Sequence, residues 1–282
     1  MGKSPAHYGQ IMEKIIREAL LGLADEKNAA NTDGLITTEH KPVLGVRLPV
    51  LRNYAQNIIK IRRYNEYLND EATDEYLEET LLRGLIIGYG TVREKEDIVT
   101  ALELLDEYLP LIDNWLICDT FCNTFKIAGF PEYREEVLNH IIFFLKFGSE
   151  FAERTAFIIF LNHLLKYDSK GSRLSRLKSV TLKDIEYTDR ESAMLDKFLP
   201  FALKSLEGRF YSQMGAAWFL AEAFNVYPDK IWKLLQSRKN MGLDNKTYLL
   251  TLRKITESKI PCNEVKEMIK QLKMSEADNE KQ

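Results

Sequence analysis

The residues best placed to do chemistry in this chain lie in Asp113-Asn114-Trp115-Leu116-Ile117-Cys118-Asp119-Thr120-Phe121-Cys122-Asn123. Read as a helix, the stretch puts Trp115 and Asp119 one turn apart on one face, with Cys118 and Cys122 beside them. A carboxylate in an otherwise apolar stripe costs free energy unless it is paired, opens onto a cleft or takes part in a reaction. A structural ion pair or a helix-cap bond is the commoner use of such a group. Cys118 and Cys122 have no third or fourth ligand nearby, so no metal site is expected. His7, His40, His140 and His163 show no local pairing with a cysteine or serine, which argues against a His-activated nucleophile.

Two further positions carry side chains of interest. In Gly215-Ala216-Ala217-Trp218 small residues precede a tryptophan, which fits either a packed indole or one offered to a ligand. Arg154, in Glu153-Arg154-Thr155, reads by itself as a first-turn arginine in a surface ion pair.

Charge is segregated along the chain. The formal net charge is −3, which argues against a protein that coats nucleic acid by bulk electrostatics, so any polyanion site must be local. Lys41, Arg47, Arg52, Lys60, Arg62 and Arg63 form a basic run without an acidic residue. The next run, Glu66, Asp70, Glu71, Asp74, Glu75, Glu78 and Glu79, is acidic throughout, and the two are expected to make surfaces of opposite potential. A second basic run holds Lys166, Lys170, Arg173, Arg176, Lys178 and Lys183. Such runs are ordinarily solvated helix faces; the alternative is a phosphate-binding face.

These residues need a scaffold, and the pattern predicts an all-α one. With 45% hydrophobic and 29% charged residues the chain can bury a core. Apolar residues recur at helical spacing, as in Val137, Leu138, Ile141, Ile142 and Leu145, and alternating patterns are scarce. The reading places helices at 6–24, 49–63, 74–89, 95–109, 114–128, 132–147, 150–167, 191–207, 210–225, 229–239, 244–257 and 262–273. Pro49, Pro131, Pro228 and Pro261 mark helix starts, and Gly90, Gly129 and Gly148 mark ends. Polar segments 27–48 and 169–190 interrupt the series. Helices joined by short turns point to antiparallel pairs in an α-α superhelix (solenoid) of degenerate repeats, one domain over 1–274 followed by an unordered tail at 275–282. Charges within the N-terminal apolar residues argue against a signal peptide, and no apolar run is long enough to span a bilayer, so a cytoplasmic protein with reduced cysteines and no membrane partner is expected.

Over roughly residues 5–260 the chain resembles the AlkD-type DNA alkylation repair family of HEAT-like-repeat DNA glycosylases. The resemblance is carried by Gly45-Val46-Arg47-Leu48-Pro49-Val50-Leu51-Arg52, by Asn114-Trp115 followed by Asp119, by Glu153-Arg154-Thr155, and by Ala217-Trp218. It implies a concave basic face that holds duplex DNA bearing alkylated bases. Trp115, Trp218 and Asp119 would line a cleft beside the damaged nucleotide, and Arg154 would hold a flanking phosphate. We add Arg47, Arg52, Lys41, Lys170 and Arg173 as DNA-contacting candidates from the two basic runs. No cofactor is expected, and a protein wrapped on a duplex is expected to act as a monomer. The chain departs from the family pattern at Tyr211-Ser212-Gln213-Met214, where basic residues are the rule before the tryptophan. Three readings stand at this point: a glycosylase for cationic alkylpurines, a non-catalytic binder of damaged or branched DNA, and a helical-repeat scaffold for protein partners.

Overall fold

The computed structural model describes residues 5–61, 67–68, 73–237 and 242–279. Arg62 and Arg63 of the first basic run, and Glu66, Asp70 and Glu71 of the acidic run, lie outside the described residues. Among the described residues there are fourteen α-helices and no strand, so the fold is all-α, in keeping with HEAT-like repeats. They are α1 Pro5–Leu21, α2 Glu26–Asp33, α3 Leu48–Lys60, α4 Leu77–Arg93, α5 Ile98–Tyr108, α6 Trp115–Thr124, α7 Arg134–Phe147, α8 Glu150–Ile159, α9 Leu182–Glu186, α10 Ala193–Ala202, α11 Phe210–Val226, α12 Pro228–Gln236, α13 Asn245–Glu257 and α14 Asn263–Asn279.

Five local features differ from the sequence reading. The polar segment 27–48 contains α2, started by the Asp25 side chain accepting from the Asn28 N–H at 3.0 Å; α2 buries no residue, so it carries no apolar periodicity to read. Segment 169–190 contains α9, opened by a Thr181/Asp184 capping box. Gly90 is no helix end but a buried residue inside α4, whereas Gly148 does cap α7. The helix expected over 150–167 gives way after Ile159 to a π turn, Phe160–Leu164. At the C-terminus α14 runs to Asn279, into the stretch read as tail, and 280–282 lie outside the described residues.

The chain divides into two compact units, residues 1–127 and 128–282. In the first, α4 is the centre: fourteen of its 17 residues are buried, so its polar side chains must find partners inside the protein. Arg83 donates to Asp74 at 2.9 Å, to Glu13 at 3.1 Å and to the Tyr67 carbonyl at 3.0 Å. Arg17 on α1 reaches Glu79 at 2.8 Å, a second tie to α4. Glycines inside a helix cost roughly 1 kcal/mol each relative to alanine, so Gly84 and Gly88 need a reason to be there. A Cβ on Gly84 would lie 2.4 Å from the Tyr108 hydroxyl, and one on Gly88 would lie 2.4 Å from Thr124 Oγ1. The two glycines thus let α5 and α6 seat directly on α4.

In the second unit α11 plays the same part, with thirteen of 17 residues buried. Gly215 brings it against α8: a Cβ there would sit 3.3 Å from Phe157 Cδ2 and 3.5 Å from Arg154 Cα. Phe157, Phe160, Phe198 and Phe219 make one aromatic cluster, with Phe160 stacked on Phe198 at 4.1 Å between centroids. Glu153, 1% exposed, accepts from Lys204 at 2.6 Å, Arg209 at 2.9 Å and Ser212 at 2.7 Å.

Asp244 caps α13, taking the Thr247 N–H at 2.9 Å and hydroxyl at 2.8 Å, the Leu206 N–H at 2.9 Å and the Gln213 amide at 2.9 Å. Burial opposes its charge, but these donors outweigh it and hold the carboxyl below the usual carboxylate range. A folded pKa below the unfolded one gives stability that is full above the unfolded value, near 4, and is lost as pH falls through the folded value. Asp244→Ala is therefore expected to destabilise the protein by about 1–2 kcal/mol at neutral pH, with the gap to wild type closing below about pH 4. Thermal melts of both proteins across pH 3–7 check the magnitude and the sign.

Candidate functional site

The candidate residues fall in both units, and each unit presents its own set. In the first, Asn114 is the N-cap of α6, its side chain accepting from the N–H groups of Leu116 at 3.0 Å and Ile117 at 3.1 Å. That cap fixes where the helix starts and hence which residues face out. Ile117, Cys118, Thr120, Phe121, Cys122 and Thr124 are buried; Trp115, Asp119 and Asn123, each four residues on, form the accessible edge. Asp119 thus does not interrupt the apolar stripe: it stands with Trp115 on the opposite edge, while Cys118 and Cys122 point into the core, where they remain thiols.

The Trp115 indole N–H donates to the Leu35 carbonyl at 3.3 Å. Its ring lines a cavity of about 230 Å³ shared with Leu35, Val46, Arg47, Leu51 and Leu81. The Gly45-Val46-Arg47 segment is held at this cavity by Glu78, a residue the charge pattern had assigned to a solvated acidic face. Glu78 is 2% exposed, and its carboxylate accepts from the backbone N–H groups of Leu44 at 2.9 Å, Gly45 at 2.7 Å and Val46 at 3.2 Å. The acidic surface is corrected accordingly: Glu78 and Glu79 are buried, and the Asp74 side chain, 2% exposed, is paired with Arg83. Gly45 has φ +84°, and a Cβ on it would lie 2.1 Å from the Asp25 carbonyl oxygen, so only glycine fits this turn.

The turn delivers Arg47 to the N-cap position of α3, its side chain 70% exposed and 3.5 Å from Asp25. The other two cations of the first set are more enclosed. Lys41 donates to Thr80 Oγ1 at 2.8 Å, and Arg52 is half-buried, with its Nε shielded from solvent.

In the second unit the accessible edge of α11 is Phe210, Met214, Trp218 and Glu222, again at four-residue spacing on a helix otherwise buried. Trp218 is therefore a half-exposed ring. Glu222, one turn on, pairs with Arg176 at 2.8 Å. Arg176 lines a concavity of about 570 Å³ with Lys166, Arg173, Leu174 and Ser175, and Lys170 and Arg173 are exposed. Arg154 is not the surface residue its position suggests: it is 6% exposed and donates to the Tyr211 carbonyl at 3.3 Å, which ties α8 to the first turn of α11. The departure at Tyr211-Ser212-Gln213 has a structural reason, since all three are buried. Tyr211 packs on Phe151 at 5.1 Å between centroids, Ser212 bonds to Glu153 and Gln213 to Asp244. Basic side chains at those positions would be carried inward.

Fold and site together define an all-α helical-repeat protein that offers an aromatic ring and a carboxylate on one narrow helix edge in each unit. The chain belongs to the family described as DNA alkylation repair enzyme, whose model matches residues 16–243, a span that includes all nine candidate residues. Comparison with curated proteins and with solved structures returns no match. Among the described residues no group of three or more His, Cys, Asp or Glu could hold a metal ion, and no helix is long and apolar enough to cross a membrane.

Glu78→Ala leaves three buried N–H groups without their acceptor, and the loss is expected to cost about 3 kcal/mol. Urea denaturation measures the cost, and the emission of Trp115 should shift red as the wall of its cavity loosens.

Proposed function

We propose that the protein is a DNA N-glycosylase that excises positively charged N3- or N7-alkylated purines from duplex DNA. The observation that carries the reading is the placement of Asp119: a carboxylate on the accessible edge of α6, one turn from the half-exposed Trp115. Family membership supports the substrate, since alkylated DNA is what the family name specifies.

The chemistry suits a single carboxylate. An N3- or N7-alkylated purine carries a positive charge, so it is already a good leaving group. As the C1′–N bond breaks, its electron pair goes to the base and neutralises it, and positive charge develops on the sugar. Asp119 stabilises that charge and orients a water, whose oxygen bonds to C1′ while its proton passes to the carboxylate or to solvent. A tryptophan face offers cation-π and stacking contacts to a charged base or sugar, Trp115 beside Asp119 in the first unit and Trp218 on the edge of α11 in the second. Arg47, Lys170 and Arg173, the exposed cations among the candidates, hold backbone phosphates, and Lys41 and Arg52, more enclosed, add positive charge in the same basic run as Arg47. Arg154 serves by fixing the start of α11, the helix that carries Trp218.

Release of methylated purines from alkylated duplex DNA at low salt tests the proposal. Asp119→Asn is expected to lose at least about 100-fold in release while DNA affinity changes little. Trp115→Ala and Trp218→Ala are expected to lose less, about 10-fold each, in keeping with cation-π contacts of one to two kcal/mol. Salt-sensitive DNA binding with no release by the wild type would overturn the enzyme in favour of a non-catalytic binder.

A further inference from the structure

Within the second unit the start of α13 meets α11 around a concavity of about 800 Å³. Asp244 frames it: by accepting from the Leu206 N–H, the Gln213 amide and the Thr247 N–H, it ties the connection before α11, α11 itself and α13 together. Gly242 lets the chain pass close behind, since a Cβ there would lie 2.5 Å from the Leu203 carbonyl oxygen. Leu243, Leu249 and Leu250 give the concavity an apolar floor, and the last two are half-buried. Gln213 lines it as well. That side chain is 2% exposed and spends its NH2 on Asp244, which leaves its carbonyl oxygen without a donor among the described residues. An enclosed acceptor of this kind is costly until a donor reaches it.

The rim is cationic. Lys246, Arg253 and Lys273 stand on it, against two acids, Asp244 and Glu207. Asp244 already serves four donors, so Glu207 is the one carboxylate of the lining left uncommitted. Lys246 lies over the Phe210 ring, 5.0 Å from its centroid, and Arg253 meets Glu257 at 2.6 Å with both side chains more than half exposed. An ion pair that open to water is worth little and exchanges readily. Along α13 the order is Lys246, Leu249, Leu250, Arg253: an apolar pair between two cations two turns apart, about 10 Å along the axis and on one face. Anchors at this spacing are what one helix uses to read another.

We propose that this face docks an acidic amphipathic helix of a partner protein. Carboxylates two turns apart on that helix meet Lys246 and Arg253, and the apolar side chains between them cover Leu249 and Leu250. A free N–H of its first turn donates to Gln213, and Lys273 adds positive charge at the rim. A nucleic-acid strand answers the same cations less well, because phosphates neither cover the leucines nor carry a donor for Gln213. Lys246, Leu249, Leu250, Arg253 and Lys273 all lie beyond residue 243, where the family match ends. The site is separate from Asp119 and goes beyond the glycosylase reading.

The full-length chain is titrated, with anisotropy as readout, against a labelled alanine-rich helical peptide that carries two glutamates two turns apart with two leucines between them. A scramble of the same composition and a labelled duplex run beside it. The patterned peptide is expected to bind about 10-fold tighter than the scramble, with an affinity that falls as salt rises. The double variant Lys246→Glu/Arg253→Glu, its fold verified by circular dichroism, is expected to lose at least about 10-fold for this peptide. It should in turn bind the version with lysines in place of the glutamates better than the wild type does. Equal binding of pattern and scramble, or binding indifferent to the charge reversal, overturns the proposal. Duplex binding that falls in the double variant while peptide binding holds assigns the rim to nucleic acid and overturns it too. Base release is expected to be the same in both proteins, so failure of the glycosylase reading shows as release absent from both while the peptide result stands.

Discussion

Burial on nearly every side of α4 and of α11 is the constraint from which the rest follows. A helix that gives fourteen of 17 or thirteen of 17 residues to the core leaves little surface to work with. Helices seated on it or beside it can expose only narrow edges. Gly88 sets the close seat of α6 on α4, and that seat turns Trp115 and Asp119 outward by turning Cys118 and Cys122 inward. In the second unit Gly215 brings α11 against α8, and the remaining open edge carries Trp218 and Glu222. The placement of the candidate side chains is thus a consequence of packing: each stands where the close helix contacts end.

The same constraint sorts the charges. Buried ions are tolerated only when paired and hydrogen-bonded, so Arg83 is enclosed with Asp74 and Glu13, and Glu153 with Lys204, Arg209 and Ser212. Glu78 is satisfied by three backbone N–H groups in place of a cation. These carboxylates are consumed inside the protein and contribute little to its surface. A net charge of −3 therefore misrepresents what a polyanion would meet, because Arg47, Lys170 and Arg173 stay accessible while several acids do not.

Sequence periodicity was enough for the all-α class and for most helices, since amphipathic stripes of ten or more residues are unambiguous. The pairing of Trp115 with Asp119 was equally legible, because a four-residue spacing on a helix needs no tertiary information. What it could not reveal was which way that edge faced. The helix α2 escaped notice because it buries nothing, and Gly90 was misread because a buried glycine inside a helix looks the same in sequence as one at a helix end. Glu78 was hidden in a run of acids: its role depends on three N–H groups more than thirty residues away, at Leu44, Gly45 and Val46. Arg154 was misplaced for the same reason, its partner being the carbonyl of Tyr211.

A narrow edge on a helix packed into the core suits a reaction in which the substrate brings most of the reactivity. A cationic purine needs little more than a well-placed negative charge to leave, and Asp119 is a carboxylate on an accessible edge. The account therefore turns on the charge of the leaving group, and the most direct test is single-turnover excision from two duplexes of one sequence. One carries cationic 7-methylguanine and the other a neutral lesion such as hypoxanthine. The account predicts excision of the cationic base alone, at a rate that depends on Asp119. Equal excision of both, or a rate for the cationic base that survives in Asp119→Asn, would contradict it.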